Sequence, residues 1–181
     1  MKKNIDTSAG IVRRIDELGR IVIPKEIRKV LRIRDGEPLE ISVDNEKILL
    51  KKFSHIDSYK DLAKTLADEI SKVLDKSVLI TNRDKFITCS GDLKKEFANQ
   101  SISKHLEKII KERNPQIKKR MQEVELIEGV KNTYSYCISP IIAEGNIIGL
   151  VIICSNKNLV NDTDEKFSIT CAQFLEKYIE E

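Results

Sequence analysis

Residues 10–41, GIVRRIDELGRIVIPKEIRKVLRIRDGEPLEI, alternate short apolar segments with arginine and lysine and place glycine and proline at the joints. The stretch reads as a hairpin, a short helix and the start of a second hairpin. GIVRRI forms the first strand. Asp16-Glu17-Leu18-Gly19 turns the chain, with Gly19 free to take the positive φ that such turns often need. The second strand, RIVI, runs into Pro24, which opens PKEIRKVL because a missing N–H is harmless at the first helical position. Ile27, Val30 and Leu31 share one helical face, and Arg28, Lys29 and Arg32 lie elsewhere on its surface. Asp35-Gly36 turns again. Leu39, Ile41 and Val43 then alternate with Glu40, Ser42 and Asp44 at the period of a strand, and KILLKK returns after Asp44-Asn45-Glu46.

This unit cannot close its own core. About fifty residues bury too little surface for safe stability without a metal or disulfide. The first hairpin is apolar on both faces: Ile11 and Ile15 oppose Val12, and Ile21 and Ile23 oppose Val22. A strand apolar on both sides needs a second layer. The expectation is an obligate, intimately packed dimer in which a second copy supplies it.

Charge points to the partner. Residues 1–52 hold thirteen Lys/Arg against nine Asp/Glu, a net of +4, whereas the remainder holds nineteen against twenty, a net of −1. The whole positive excess of the chain therefore sits in its first third, as expected for a unit that meets a polyanion. The cations of the hairpin and helix are Arg13, Arg14, Arg20, Lys25, Arg28, Lys29, Arg32 and Arg34. Arginine suits bidentate phosphate and guanine contacts. No aromatic residue appears before Phe53, so stacking on single-stranded bases is not indicated and double-stranded DNA is favoured.

The run G-I-V-R-R-I-D-x-L-G-R-x-V-I-P-K-E-I-R resembles the N-terminal DNA-binding domain of the AbrB family of bacterial transition-state regulators. The resemblance is strong over roughly the first fifty residues. It implies a swapped-hairpin β-barrel dimer that addresses two half-sites and reads DNA shape more than a strict consensus. It also implies that Arg13, Arg20, Arg28 and Lys29 occupy the principal DNA-contacting positions, with Arg14 and Lys25 second. Lys29 stands where relatives often carry arginine; as a point charge it suits a phosphate better than a bidentate base contact. The length and order of the rest resemble the sporulation members of the family, whose C-terminal half is a GAF domain. The expected fold is α+β: an AbrB-like barrel over 1–53, then a GAF-like domain over 54–181 with an antiparallel sheet flanked by helices. The expected function is transcription regulation, with the GAF domain sensing a small-molecule ligand or joining dimers into tetramers.

The pattern downstream agrees with α+β. Residues 53–57 (FSHID) read as a linker, followed by an amphipathic helix over about 58–75 with Tyr59, Leu62, Ala63, Leu66, Ala67, Ile70, Val73 and Leu74 at helical spacing. SVLIT and KFITCS form a hairpin around Asn82-Arg83-Asp84. A helix spans 102–113 and stops at Asn114-Pro115. VELIEG, TYSYCISPII and NIIGLVIICS read as strands. A final helix covers about 163–180, with Phe167, Cys171, Phe174, Leu175 and Tyr178 facing inward.

Other chemistries find little support. Cys89, Cys137, Cys154 and Cys171 form no C-x-x-C pair, and His55 and His105 lie at no ligand spacing from them, so neither a metal nor another cofactor is expected. The start MKKNIDTSAG is polar and lacks a signal-peptide core, and the apolar run IIGLVIIC is far below the ~20 residues of a membrane span, so a cytoplasmic protein without membrane contact is expected. A ligand pocket would lie between the sheet and the 102–113 helix, with Tyr134, Tyr136 and Cys137 as possible lining. Two other classes compete. An antitoxin-like protein-binding module shares the N-terminal fold but usually ends in a disordered acidic tail, whereas Glu176, Glu180 and Glu181 here end a regular helix. A thiol enzyme would need an exposed, low-pKa cysteine, for which only Cys89 is placed.

Overall fold

A computed structural model describes residues 10–180 of the chain, which divide into two compact units between Phe53 and Ser54. Residues 1–9, read above as a polar start, and Glu181 lie outside the described residues.

In the first unit, helix α1 (Lys25–Val30) follows Pro24, which sits at the N-cap with φ −55°, one position earlier than its sequence placement. The helix ends because Arg32 enters the left-handed region at φ 53° and Ile33 N–H bonds back to the Arg28 carbonyl at 2.8 Å. Strands β1 (Leu39–Asp44) and β2 (Lys47–Lys52) form an antiparallel hairpin in which Ile41 opposes Leu50 and Val43 opposes Ile48. Directly opposed residues share a face. Leu39, Ile41, Val43, Ile48 and Leu50 thus form one apolar face, and Glu40 and Lys51 pair on the other at 4.0 Å.

The predicted strands GIVRRI and RIVI are absent as strands. Residues 10–15 and 20–23 run without a ladder on either side of the Asp16–Gly19 turn. A strand is defined by its neighbour's hydrogen bonds, and among the described residues these segments meet no ladder partner. Burial carries the same message: among the described residues of this unit only Pro24 is buried. Val12 is 87% exposed, Val22 75% and Ile41 68%.

The second unit is a five-stranded antiparallel sheet in the order β4-β3-β7-β6-β5, with helices on both faces. Its elements are α2 (His55–Ser58), α3 (Lys60–Leu74), β3 (Ser77–Thr81), β4 (Phe86–Ser90), α4 (Lys94–Phe97), α5 (Lys104–Glu112), β5 (Gln116–Ile127), β6 (Val130–Ala143), β7 (Asn146–Ser155) and α6 (Asp162–Glu180). The central strands are buried on both sides and read as continuous apolar runs. Along β7, Leu150, Ile152 and Cys154 pack with Leu106 and Ile109 of α5, while Val151 and Ile153 pack with Ala63 and Ala67 of α3 and Leu175 of α6. Gly149 lets β7 approach β3: a Cβ there would lie 2.0 Å from the Thr81 carbonyl oxygen.

Several elements depart from expectation. The predicted linker 53–57 contains α2, because Ile56 is fully buried against the core and draws the chain into a turn of helix. Strand β5 begins at Gln116 and includes the charged QIKKRMQE half, which an edge strand tolerates because one of its sides is open. On α6, Cys171 and Leu175 face inward, but Phe174 and Tyr178 are half-exposed and stack at 6.1 Å between ring centres. Tyr59 meets Tyr178 edge-on at 5.5 Å. No helix among the described residues is long and apolar enough to cross a membrane.

Candidate nucleic-acid interface

The six basic candidates are held in three local settings. Arg13 and Arg14 lie exposed on the extended segment before the turn. Arg20 leaves the turn under the control of Asp16. One Asp16 carboxylate oxygen accepts the Leu18 N–H at 3.0 Å and the Arg20 N–H at 2.8 Å; the other accepts Arg20 Nε at 2.7 Å. Gly19, at φ 75°, closes the turn with its N–H on the Asp16 carbonyl at 3.0 Å. The Arg20 backbone N–H, and then its guanidinium, hold the Asp16 carboxyl below its usual range. Asp16 therefore presets the direction of Arg20 and leaves the rest of the guanidinium open.

Lys25, Arg28 and Lys29 come from α1. Lys25 and Lys29 are exposed and Arg28 is half-buried, with Nη1 donating to Asp35 at 2.9 Å. Arg28 Nε is buried and has no hydrogen-bond partner among the described residues. A guanidinium so placed can turn its remaining donors to an acceptor outside the chain.

Sequence reading missed the group that fixes this region. Glu37 follows Gly36, and its carboxylate is only 5% exposed. It accepts the Arg34 N–H at 2.8 Å and meets Lys52 Nζ at 3.2 Å, and Lys52 also donates to the Arg32 carbonyl at 3.2 Å. The exit of α1 is thus tied to the end of β2, and Arg34, named above among the cations of this unit, serves the fold. The signal was available: an acid between Gly36 and Pro38 is placed by its turn. Glu37→Ala leaves two mostly buried cations without their shared acceptor, so it should destabilise this unit by about 2 kcal/mol. Thermal melts of the variant beside Glu40→Ala, whose carboxylate is half-exposed, check this.

The space beneath α5 was the default place for a ligand pocket, weighed against ordinary strand packing of Tyr134, Tyr136 and Cys137. That space is filled. Tyr134 and Tyr136 are buried among Phe97, Ile102, Leu106 and Leu126, and Cys137 faces the opposite cluster. The phenol of Tyr134 bonds Glu96, and Tyr136 accepts Gln122 Nε2 at 3.1 Å. A polar cleft of about 260 Å³ lies elsewhere, between Ser71–Ser77, Gly91–Leu93 and Ser155–Asn158. Burial pushes the Cys89 thiol up to about 11 and those of Cys137 and Cys171 to about 12; Cys154 moves in the same direction. Those shifts oppose the thiolate that a thiol enzyme requires.

Comparison with known proteins follows the same division. Residues 59–180 match the family model described as stage V sporulation protein T C-terminal, transcription factor. Stage V sporulation protein T of Bacillus subtilis (strain 168) is 44% identical over 176 residues, covering 96% of this chain and 99% of the relative. The chain belongs to the stage V sporulation protein T family. Its N-terminal part also matches the MazE antitoxin model, described as antidote-toxin recognition, over residues 12–55. Over 46 residues it is 61% identical to the transition state regulatory protein AbrB of the same organism, covering 25% of this chain and 48% of AbrB. For this stage V sporulation protein T family member, the second unit has the GAF fold. The GAF domain of a phosphoenolpyruvate-protein phosphotransferase from Coxiella burnetii superposes with a TM-score of 0.51 at 15% identity, covering 66% of this chain and 81% of that one.

Proposed function

We propose that this chain is a DNA-binding transcription regulator of sporulation genes. Residues 1–53 bind duplex DNA, and residues 54–181 regulate or join the DNA-binding units. The observation that carries this reading is the first unit's combination of an unburied apolar face with a preset cluster of cations. Arg13, Arg14, Arg20, Lys25, Arg28 and Lys29 are its DNA contacts. The 61% identity to AbrB in this segment supports them over toxin recognition. The reading is non-enzymatic: upshifted thiols and a packed core beneath α5 favour a regulator over a catalyst.

Binding is tested by titrating the full chain onto duplex DNA at rising ionic strength. Affinity should fall steeply, because each neutralised phosphate releases counterions. A flat salt response would remove the reading.

Assembly is the second part. The first unit pairs with its copy through the exposed apolar face. The half-exposed Phe174 and Tyr178 on α6, with Tyr59 edge-on to Tyr178, give the GAF unit a separate apolar surface for joining dimers. The full chain should therefore be a tetramer. A truncation at Phe53 should leave a dimer that still binds DNA, with lower avidity on tandem sites. Light scattering that gave a dimer for the full chain would contradict the second interface.

A further inference from the structure

The second unit is nearly neutral as a whole, but its charges are segregated. Residues 104–120 hold seven Lys/Arg against two Asp/Glu, a net of +5, while the rest of residues 53–181 carries a net of −6. The structure gathers four of these cations on one face, while Lys119 turns to Asp162 of α6. Lys104, Lys108 and Lys111 fall at i, i+4 and i+7 on the exposed side of α5, opposite the buried Leu106, Ile109 and Ile110. Lys118 opposes Tyr136 across the β5–β6 ladder and so lies on the face that α5 covers. The half-buried His105 ring lies within the field of Lys108 of α5 and Lys118 of β5, and of Glu112 and Glu125 with the opposite sign. After Lys118 the ladder shifts. Three residues of β5, Lys119 to Met121, stand against Ser135 alone, and such a bulge re-aims its side chains.

Little within the chain neutralises this face. Lys108 pairs with Glu112 at 3.5 Å and Lys119 with Asp162. Lys104, Lys111, Arg113, Lys118 and Arg120 have no ion-pair partner among the described residues. Like charges at i, i+4 oppose helix formation slightly, so the Lys104–Lys108 pair gives α5 no support. A partner must be strongly anionic. A protein interface needs an apolar or aromatic anchor at its centre. Among the described residues, no exposed large apolar side chain lies within residues 104–122. A phosphate backbone needs no such anchor.

We infer that the α5–β5 face is a second contact surface for duplex DNA, gripping the phosphate backbone without reading sequence. The inference rests on the DNA-binding reading of the first unit: a tethered second basic surface on the same polyanion adds affinity through effective concentration.

The test uses the full chain and a duplex of about 40 base pairs, long enough to offer phosphates to both units. Lys104→Gln, Lys111→Gln, Lys118→Gln and Arg120→Gln are combined in one variant; all four positions are exposed, so the fold should hold in a thermal melt. A control variant removes the same charge from other exposed positions: Lys60→Gln, Lys64→Gln, Lys94→Gln and Lys95→Gln. The α5–β5 variant should bind at least tenfold more weakly near 0.1 M salt. Its dependence of log K on log salt should be shallower by about 3, and the control should stay within about 1 of the parent. Equal losses in the two variants would reduce the effect to net charge and overturn the assignment. A parent slope retained in the α5–β5 variant would overturn it too, and would return the face to an acidic protein partner or to guarding the sheet edge. A parent that binds no duplex at all would overturn the DNA reading itself, and this inference with it.

Discussion

Ile41→Asp abolishes folding of the first unit and, with it, DNA binding by the full chain. In one copy Ile41 is 68% exposed, and a polar replacement at such a site ordinarily changes stability by no more than about 0.5 kcal/mol. The expectation is opposite because Ile41 sits at the centre of a face made by Leu39, Val43, Ile48 and Leu50, none of which is buried. A hairpin alone is marginal in water, and this one has only a six-residue helix beside it. In the proposed dimer the missing contacts come from a second copy. There an aspartate would bury an unpaired charge at a cost of several kcal/mol, more than a small unit can bear. The same argument makes stability depend on concentration: a fragment of residues 1–53 should sediment as a folded dimer and lose its structure on dilution. Circular dichroism and ultracentrifugation of fragment and variant decide the matter. A folded monomer, or an Ile41→Asp chain that binds DNA like the parent, would end the paired-barrel reading.

The lack of a closed core in the first unit was legible before any coordinates. Apolar residues on both faces of GIVRRI and RIVI cannot be satisfied by a unit this small, and the structure leaves them unsatisfied. What the sequence could not convey was that these segments would lack any ladder in one chain, since strand periodicity is the same whether the neighbour is intra- or intermolecular. In the second unit the long elements declared themselves, because a doubly covered sheet needs continuous apolar runs and a covering helix needs a 3.6-residue stripe. Besides the one-turn helix α4, three features escaped. Helix α2 is one turn nucleated by the burial of a single residue, Ile56, too short for a periodic signal. The charged half of β5 hides its strand character because an edge needs no alternation. The orientation of α6 was misjudged at Phe174 and Tyr178, because a helix with apolar residues over much of its circumference does not say which of them the sheet covers. For the interface, the cations and the Asp16 turn were visible; Asp16 proves also to hold Arg20, and Glu37, which takes the Arg34 N–H, was missed.

Arg28→Ala and Arg20→Ala should each weaken duplex binding about 5- to 150-fold while leaving the dimer folded, the range expected when one arginine contact worth about 1–3 kcal/mol is removed. Their origins differ. Arg28 stands on a helix, half-buried, with Nε unpartnered and one guanidinium nitrogen committed to Asp35. Its geometry survives changes elsewhere, and Arg28→Lys should recover only part of the loss, since an ammonium cannot make the paired contact. Arg20 stands on a turn and depends on Asp16. Asp16→Ala should therefore reproduce much of the Arg20→Ala defect even though it removes a negative charge, which by simple electrostatics would favour DNA. That reversal of sign separates positioning from net charge. The pH dependence follows from the same carboxylate. Its pKa in the folded chain lies below that of an ordinary aspartate, so the turn's support for Arg20 is fully present above about pH 4 and is lost as pH falls through the lowered value. Arg20 should accordingly stay ordered across the neutral range, with its Nε–H resonance and the Asp16 carboxyl shift moving together only in acid. Tighter DNA binding by Asp16→Ala, or no loss with Arg20→Ala, would remove this turn from the interface and leave α1 as the contacting element.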